Sequence, residues 1–169
     1  MLAAYNFGNI QIISLPHPAI SVQPAASDLF ALNMEQFWRA AFAGVSQVFL
    51  INNVITGILF LIGLAVSSIW AAVFAFVGSI IAICTALILG GGSTAIIAGL
   101  FQFSAVLTAI GLGTTFYNPN WRVVCYTFLG TVFTVVAQGA LNVLLNVYGI
   151  PTLTFPFVVA AWIFLLPNI

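Results

Sequence analysis

Neutral polar side chains within long apolar runs are the groups in this sequence that could act on a solute. They are Gln47, Asn52, Asn53, Gln102, Ser104, Gln138, Asn142, Asn146 and Thr154. The one histidine, His17, lies in a proline-rich stretch, and the two acids, Asp28 and Glu35, precede the first apolar run. The sequence therefore indicates neither a general acid/base pair nor a catalytic triad, and we expect a protein that is not an enzyme. Neutral donors and acceptors suit a neutral polar solute.

Gln47 has apolar residues on both sides, so its amide needs hydrogen-bond partners wherever it is buried. Two interpretations are open. The amide joins two helices, which contributes on the order of 1 kcal/mol in a membrane, or it contacts a solute. Asn52 and Asn53 lie where an apolar run ends. They either cap a helix or line a pore.

Gln138, Asn142 and Asn146 are spaced four residues apart and form one polar stripe along a predicted helix. Such a stripe does not face lipid without a large cost in free energy. It therefore either packs against another protein helix or borders a path for water, and both interpretations are open.

The segment IPTLTFPF, residues 150–157, predicts a helix that begins inside the membrane. The hydroxyl of Thr154 is expected to cap this helix, and Pro156 suits its first turn, where an N–H group is not needed. The apolar run that begins at Phe155 is short, roughly 18 Å as a helix against about 30 Å of hydrocarbon. A helix start at that depth is tolerated only where it packs in protein or lines a wet cavity. The segment thus predicts a polar path through the membrane.

Composition places the whole chain in a membrane. Charged residues make up 2% of the sequence and hydrophobic residues 63%. A water-soluble domain would not cover its surface with so few charges. We therefore expect an integral membrane protein, located in the cell membrane, with no nucleic-acid partner.

The two cysteines, Cys84 and Cys125, both fall in apolar runs without a CxxC spacing or a neighbouring histidine. Neither a disulfide framework nor a metal site is indicated, and no cofactor is expected. We expect both cysteines to be small residues of the core.

The chain divides into two parts. Residues 1–33 contain prolines and polar residues without periodicity and are predicted to be an N-terminal linker or interfacial segment, whereas residues 34–169 form the transmembrane part. Its apolar segments cover residues 36–52, 54–69, 71–90, 94–116, 121–147 and 154–167. Their uneven lengths are typical of the broken or re-entrant helices that build binding sites near the bilayer midplane.

Three of these stretches together resemble the urea transporters of bacteria and animals. Residues 150–157 match the family signature Leu-Pro-x-x-Thr-x-Pro-Phe, with Ile150 in place of the leucine. Residues 44–57, GVSQVFLINNVITG, are similar to the family's Gly-x-x-Gln segment and the Asn-rich turn that follows it. Residues 98–104, AGLFQFS, are similar to the family's Gly-Leu-aromatic stretch. The likeness extends over about residues 26–167, which corresponds to the second of the two homologous halves of these transporters.

The resemblance implies an all-α membrane protein, with five crossings and one re-entrant helix in each half. Two halves in inverted orientation enclose one pore, and complete pores form trimers. The chain would therefore need a second half, either an inverted copy of itself or a separate first half. The resemblance also implies passive passage of urea along oxygen atoms and between apolar slots.

By resemblance, Gln47 belongs to the oxygen ladder, Thr154 to the central constriction and Leu100 to the apolar wall. Leu50 stands where the family often has a phenylalanine that contacts the solute. The neighbouring residues Phe49, Asn52, Asn53, Phe155 and Pro156 are expected to support these groups.

Departures from the family pattern lead us to expect a wider range of solutes. Leu50 stands in place of a larger phenylalanine, Val54 replaces the turn proline, and Gln102 and Ser104 replace a glycine and an asparagine. A related small amide is therefore an alternative to urea. The alternative function is a non-transporting membrane subunit or scaffold, in which the same polar residues serve only helix packing.

Overall fold

The computed structural model describes residues 32–166, and the predicted N-terminal segment lies almost wholly outside that range. All regular structure within these residues is helical. The helices are α1 (Met34–Ser46), α2 (Val54–Ser67), α3 (Ile69–Ile88), α4 (Ser93–Ile97), α5 (Gln102–Ile110), α6 (Trp121–Asn146) and α7 (Phe155–Leu165). A 3₁₀ turn over Gln47–Phe49 extends α1, and a π-helical turn over Gly111–Thr115 extends α5.

Two of the described helices are long and apolar enough to cross a membrane alone. They are α3, with 20 residues, and the Trp121–Leu145 portion of α6, with 25 residues. The extended α1 and α2 form a bent pair, with an angle of 71° between them, and satisfy the same test together. The final helix, α7, has only 11 residues, as the short apolar run predicted.

Small residues let the helices pack closely around α3. Ala40 and Ala41 of α1, Ala82 of α3 and Ala105 of α5 are all fully buried in one cluster. A methyl group at Gly78 of α3 would overlap the side chain of Ala109, so α3 and α5 cross at close range. Small side chains at such crossings bring backbones together where lipid offers little hydrophobic driving force.

Polar residues at the helix starts fix where the chain turns. The Oδ1 atom of Asn53 accepts a hydrogen bond from the backbone N–H of Ile55, at 2.8 Å, and Oδ1 of Asn120 accepts one from Trp121, at 2.7 Å. These contacts satisfy N–H groups that a helix start leaves without partners. The capping interpretation of Asn53 is thereby confirmed.

The expectation that Cys84 and Cys125 belong to the core is wrong. Both side chains are exposed, on α3 and α6 respectively. The physical reason is that a helix surface facing lipid is as apolar as a core, so an apolar neighbourhood in sequence does not show that a side chain is buried.

Candidate functional site

Three interruptions of the helices contain or flank most of the predicted site residues. The first break covers residues 50–53, the second break residues 98–101 and the third break residues 147–154. Each includes a residue in the left-handed region, with φ of 58° at Leu50, 77° at Gly99 and 44° at Leu153. For a leucine this conformation is strained, so the surrounding contacts must hold it in place.

Gln47 joins the first break to the second break. Its side chain is 8% exposed, and its Nε2 atom donates a hydrogen bond to the backbone carbonyl of Ala98, at 2.9 Å. Because a carbonyl oxygen only accepts, this contact fixes which end of the amide faces Ala98. The Oε1 atom points elsewhere and is buried without a hydrogen-bond partner among the described residues. The nitrogen thus serves packing, while the oxygen has no hydrogen-bond partner among the described residues.

The second break requires glycine at Gly99. A Cβ at this position would lie 3.0 Å from the Cγ atom of Gln47 and 3.0 Å from the carbonyl of Ala43. The same residue has positive φ, which glycine adopts at little cost. The approach of Gln47 to the carbonyl of Ala98 therefore depends on the missing side chain.

Gln102, the first residue of α5, bonds to backbone groups before the second break and at its end. It is fully buried, its Nε2 atom donates to the carbonyl of Ile96 at 2.8 Å, and its Oε1 atom accepts from the N–H of Phe101 at 3.2 Å. Ser104, two residues further along α5, donates from its Oγ atom to the carbonyl of Leu153, at 3.4 Å. The start of α5 therefore connects the second break with the third break.

The third break is anchored by Thr152, whose side chain is 7% exposed. Its Oγ1 atom accepts a hydrogen bond from Nε2 of Gln138, at 2.7 Å, and donates one to Oδ1 of Asn142, at 2.8 Å. The α6 stripe thus contacts a protein partner at Gln138 and Asn142, although that partner lies in a break and not on another helix, and Oε1 of Gln138 is buried without a hydrogen-bond partner among the described residues. The side chain of Asn146 lies outside what the structure describes.

The expectation that Thr154 caps α7 through its hydroxyl is wrong. Thr154 precedes α7 as predicted, but its side chain makes no capping hydrogen bond, and its backbone has φ of −81° and ψ of 4°. A residue that caps through its side chain usually has an extended backbone, and the left-handed Leu153 turns the chain away from that course. Thr154 is an exposed residue, while Pro156 is buried in the first turn and Phe155 is 48% exposed.

The predicted apolar wall residues lie at the surface of the chain. Leu50 is 72% exposed and Leu100 is 46% exposed. Phe49 packs edge-on against Phe60, with ring centroids 4.7 Å apart. Leu50 and Leu100 are therefore free to contact something outside the described residues.

Asn52 and Asn53 line a cavity of mixed polar and apolar character at the first break. The cavity has a volume of about 580 Å³, and Gln36 and Arg39 of α1 also line it. The guanidinium of Arg39 lies 3.7 Å from the carboxylate of Glu35, and both side chains are exposed. The positive charge of Arg39 at this cavity is therefore paired with the carboxylate of Glu35.

Comparison with known proteins completes this description. The family model described as "Urea transporter" matches residues 1–169. The chain belongs to the urea transporter family. The expected all-α membrane protein and the resemblance to this family are thereby confirmed.

Mammalian urea transporters show how much of such a protein the chain represents. It is 33% identical to "Urea transporter 1" of Ovis aries over 132 residues, which are 77% of this chain and 34% of the relative. It is 34% identical to "Urea transporter 1" of Mus musculus over 133 residues, with the same coverage of 77% and 34%. The chain therefore spans about a third of the length of these urea transporters.

One residue that sequence reasoning missed in this member of the urea transporter family is Thr152. The family signature marks Thr154, whereas Thr152 is the threonine that contacts the α6 stripe. The stripe itself was the signal that could have found it. Gln138 and Asn142 require polar partners, and Thr152 is the first serine or threonine that follows them in the chain.

Proposed function

We propose that the chain forms one half of a channel through which urea, or a similar small neutral amide, crosses a membrane down its gradient. Family membership supports transport as the activity. The observation that carries the proposal is the Oε1 atom of Gln47, buried and unpartnered while Nε2 is fixed on Ala98. An unsatisfied buried acceptor costs about 1–3 kcal/mol. An N–H group of urea would satisfy it.

The groups at the three breaks favour a neutral solute over an ion. Gln47 offers an amide oxygen, and Thr154, an exposed residue, offers a hydroxyl that we place at the central constriction. Leu50 and Leu100 supply apolar surface that would contact the flat face of urea. Such a lining replaces the hydrogen bonds of a neutral amide but does not compensate an ion for the loss of its water.

A second half must complete the pore. Each chain covers 34% of the length of its mammalian relatives, and its wall residues Leu50 and Leu100 are exposed. We propose that residues 34–169 form a half with five crossings and one re-entrant helix. An inverted second half, supplied by another copy or by a separate first half, faces this surface. Complete pores then assemble as trimers in the cell membrane.

Urea uptake into proteoliposomes, followed by stopped-flow light scattering, tests the proposal. The chain is reconstituted alone and together with a first half from a homologue. We expect Gln47→Leu to lower urea permeability about tenfold, which corresponds to one lost hydrogen bond of about 1.4 kcal/mol. Thr154→Val should lower it as well.

Thr85→Val is the matched control for Thr154→Val. Its Oγ1 atom bonds to the carbonyl of Ile81 in its own helix, at 2.8 Å, and lies away from the breaks. Urea permeability should not change in this variant. If Gln47→Leu and Thr154→Val both fold and conduct like the unmodified protein, the chain does not line a urea path.

The alternative, a non-transporting membrane subunit or scaffold, is favoured by one observation. The Nε2 atom of Gln138, the Oδ1 atom of Asn142 and the hydroxyl of Thr152 bond to one another, as in a structural network, although Oε1 of Gln138 is buried without a partner among the described residues. Urea permeability no higher than that of empty vesicles, with the first half present, would support this alternative. A voltage-dependent current under the same conditions would instead indicate an ion transporter.

A further inference from the structure

The third break holds a leucine in a conformation that it does not adopt freely. Leu153 has φ of 44°, and its side chain is 53% exposed, so packing of that side chain provides little restraint. A non-glycine residue in the left-handed region persists only where neighbouring contacts determine the backbone. Those contacts are the hydrogen bonds made by the side chain of the preceding residue, Thr152, and the hydrogen bond accepted by the backbone carbonyl of Leu153.

Thr152 closes a triangle of hydrogen bonds with α6. Nε2 of Gln138 donates to Oγ1 of Thr152 at 2.7 Å and to Oδ1 of Asn142 at 3.3 Å, and the hydroxyl of Thr152 donates to the same Oδ1 at 2.8 Å. Thr152 thus acts as acceptor and donor at once. Serine retains both functions, whereas valine keeps the shape of threonine and loses both.

The opposite side of the third break is fixed by α5. The Oγ atom of Ser104 donates to the carbonyl of Leu153 at 3.4 Å. The helices that carry the two anchors are joined to each other, because the hydroxyls of Thr108 and Thr134 lie 2.8 Å apart between α5 and α6. The third break is therefore held between α5 and α6, and the contact between Thr108 and Thr134 fixes the position of these two helices relative to each other.

The start of α7 depends directly on this anchored segment. The N–H of Phe155 donates to the carbonyl of Thr152 at 3.1 Å, and the N–H of Val158 donates to the carbonyl of Thr154 at 3.2 Å. Movement of Thr152 would therefore displace both Thr154 and the first turn of the helix.

We propose that Thr152 is a positioning residue, which acts through Gln138 and Asn142 to set the place of Leu153 and Thr154 and thereby the solute size that the constriction accepts. This assignment rests on the proposed function, since it concerns the width of the same path. Thr152 does not contact the solute. Its loss widens the distribution of positions of α7 and lowers the discrimination against amides larger than urea.

The experiment uses the full chain in proteoliposomes, with a first half where flux requires it, and compares Thr152→Val, Thr152→Ser and the control Thr85→Val. Hydrogen exchange is followed by mass spectrometry on peptides that contain Phe155 and Val158. Permeability is measured for urea and for N,N′-dimethylurea. In Thr152→Val we expect exchange to be about tenfold faster at these amides, as the loss of one hydrogen bond implies. The ratio of urea to dimethylurea permeability should fall several-fold.

Thr152→Ser and Thr85→Val should retain the exchange rates and the permeability ratio of the unmodified protein. If Thr152→Val fails to fold, Asn142→Ala replaces it, because this change removes the shared acceptor at a half-buried position. An unchanged ratio in the valine variant, or a serine variant that behaves like valine, would overturn the proposal. If the unmodified protein carries no urea, the proposed function fails separately, and unchanged exchange in Thr152→Val would still refute the anchoring.

Discussion

The first break and the third break both place a leucine in the left-handed region, but different groups hold them. At the first break, Asn53 accepts from the N–H of Ile55 at 2.8 Å, and the Oγ atom of Ser46 accepts from the N–H of Asn53 at 3.4 Å. At the third break, the anchoring side chains of Gln138 and Asn142 belong to α6. The first break is thus fixed by residues within a few positions of it, whereas the third break is held by the neighbouring helices α5 and α6.

This difference separates two functions within one half. The first break follows Gln47 and lies beside a cavity that is lined by polar and apolar residues, and local hydrogen bonds from Ser46 and Asn53 hold it. The third break precedes α7, a helix of only 11 residues. Since so short a helix gains little from its own length, its position has to come from contacts with longer helices. Substitutions distant in sequence should therefore affect the third break more than the first.

The largest effect should follow from filling the space between α1 and α2 beside the first break. A methyl group at Gly57 would overlap the backbone carbonyl of Phe42. Because a backbone atom has no rotamer with which to move away, Gly57→Ala should lower the free energy of unfolding by about 3 kcal/mol. Unfolding in mixed SDS and dodecylmaltoside micelles measures this quantity.

Gly63→Ala is the control for this substitution, on the same helix. Nothing lies within 4 Å of a Cβ at Gly63, so the variant should be unchanged or more stable by up to about 1 kcal/mol, from helix propensity. Equal losses in the two variants would show that α2 does not lie against Phe42.

An intermediate effect should appear as coupling between α6 and the third break. Gln138→Leu and Thr152→Val should each lower the free energy of unfolding by about 2 kcal/mol, because each leaves a buried polar partner unsatisfied. The double variant should lose less than the sum, with a coupling free energy of about 1 kcal/mol. A double-mutant cycle in the same micelles gives this value.

Gln138→Leu combined with Asn53→Ala provides the comparison, since Asn53 belongs to the other break. These two losses should add to within about 0.5 kcal/mol. Additivity in the Gln138 and Thr152 cycle as well would mean that α6 does not anchor the third break, and the contrast between the breaks would be lost.

The features that could be predicted from the sequence are those that depend on residues adjacent to one another in the chain. The end of the first apolar segment at Asn53 and the short final helix after Thr154 both follow from residues that are adjacent in the chain. Proline in the first turn of α7, at Pro156, is of the same kind. Such features depend on caps, turns and apolar run length, which a single sequence displays directly.

The features that sequence did not predict are tertiary. The α6 stripe showed that Gln138 and Asn142 need partners, but the partner, Thr152, became visible only where the chain returns to α6. The exposure of Cys84 depends likewise on which face of α3 meets other helices. The unpaired oxygen of Gln47 depends on the carbonyl of Ala98, 51 residues away.

The smallest effect should come from the first break's own cap. Asn53→Ala removes the acceptor for the N–H of Ile55, and loss of such a cap costs about 1 kcal/mol of unfolding free energy. Asn52→Ala, at the exposed neighbouring position, should change it by less than about 0.5 kcal/mol. Asn53→Asp should keep the cap, because a carboxylate accepts the same hydrogen bond and is favoured at a helix N-terminus.

Hydrogen exchange at the third break should not change in any of these three variants, because the cap acts only within the first turn of α2. Faster exchange at Phe155 and Val158 in Asn53→Ala would show that the two breaks move together. The separation between a locally capped break and a tertiary-anchored break would then be wrong, and the contact of Gln47 with Ala98 would be the route by which one affects the other.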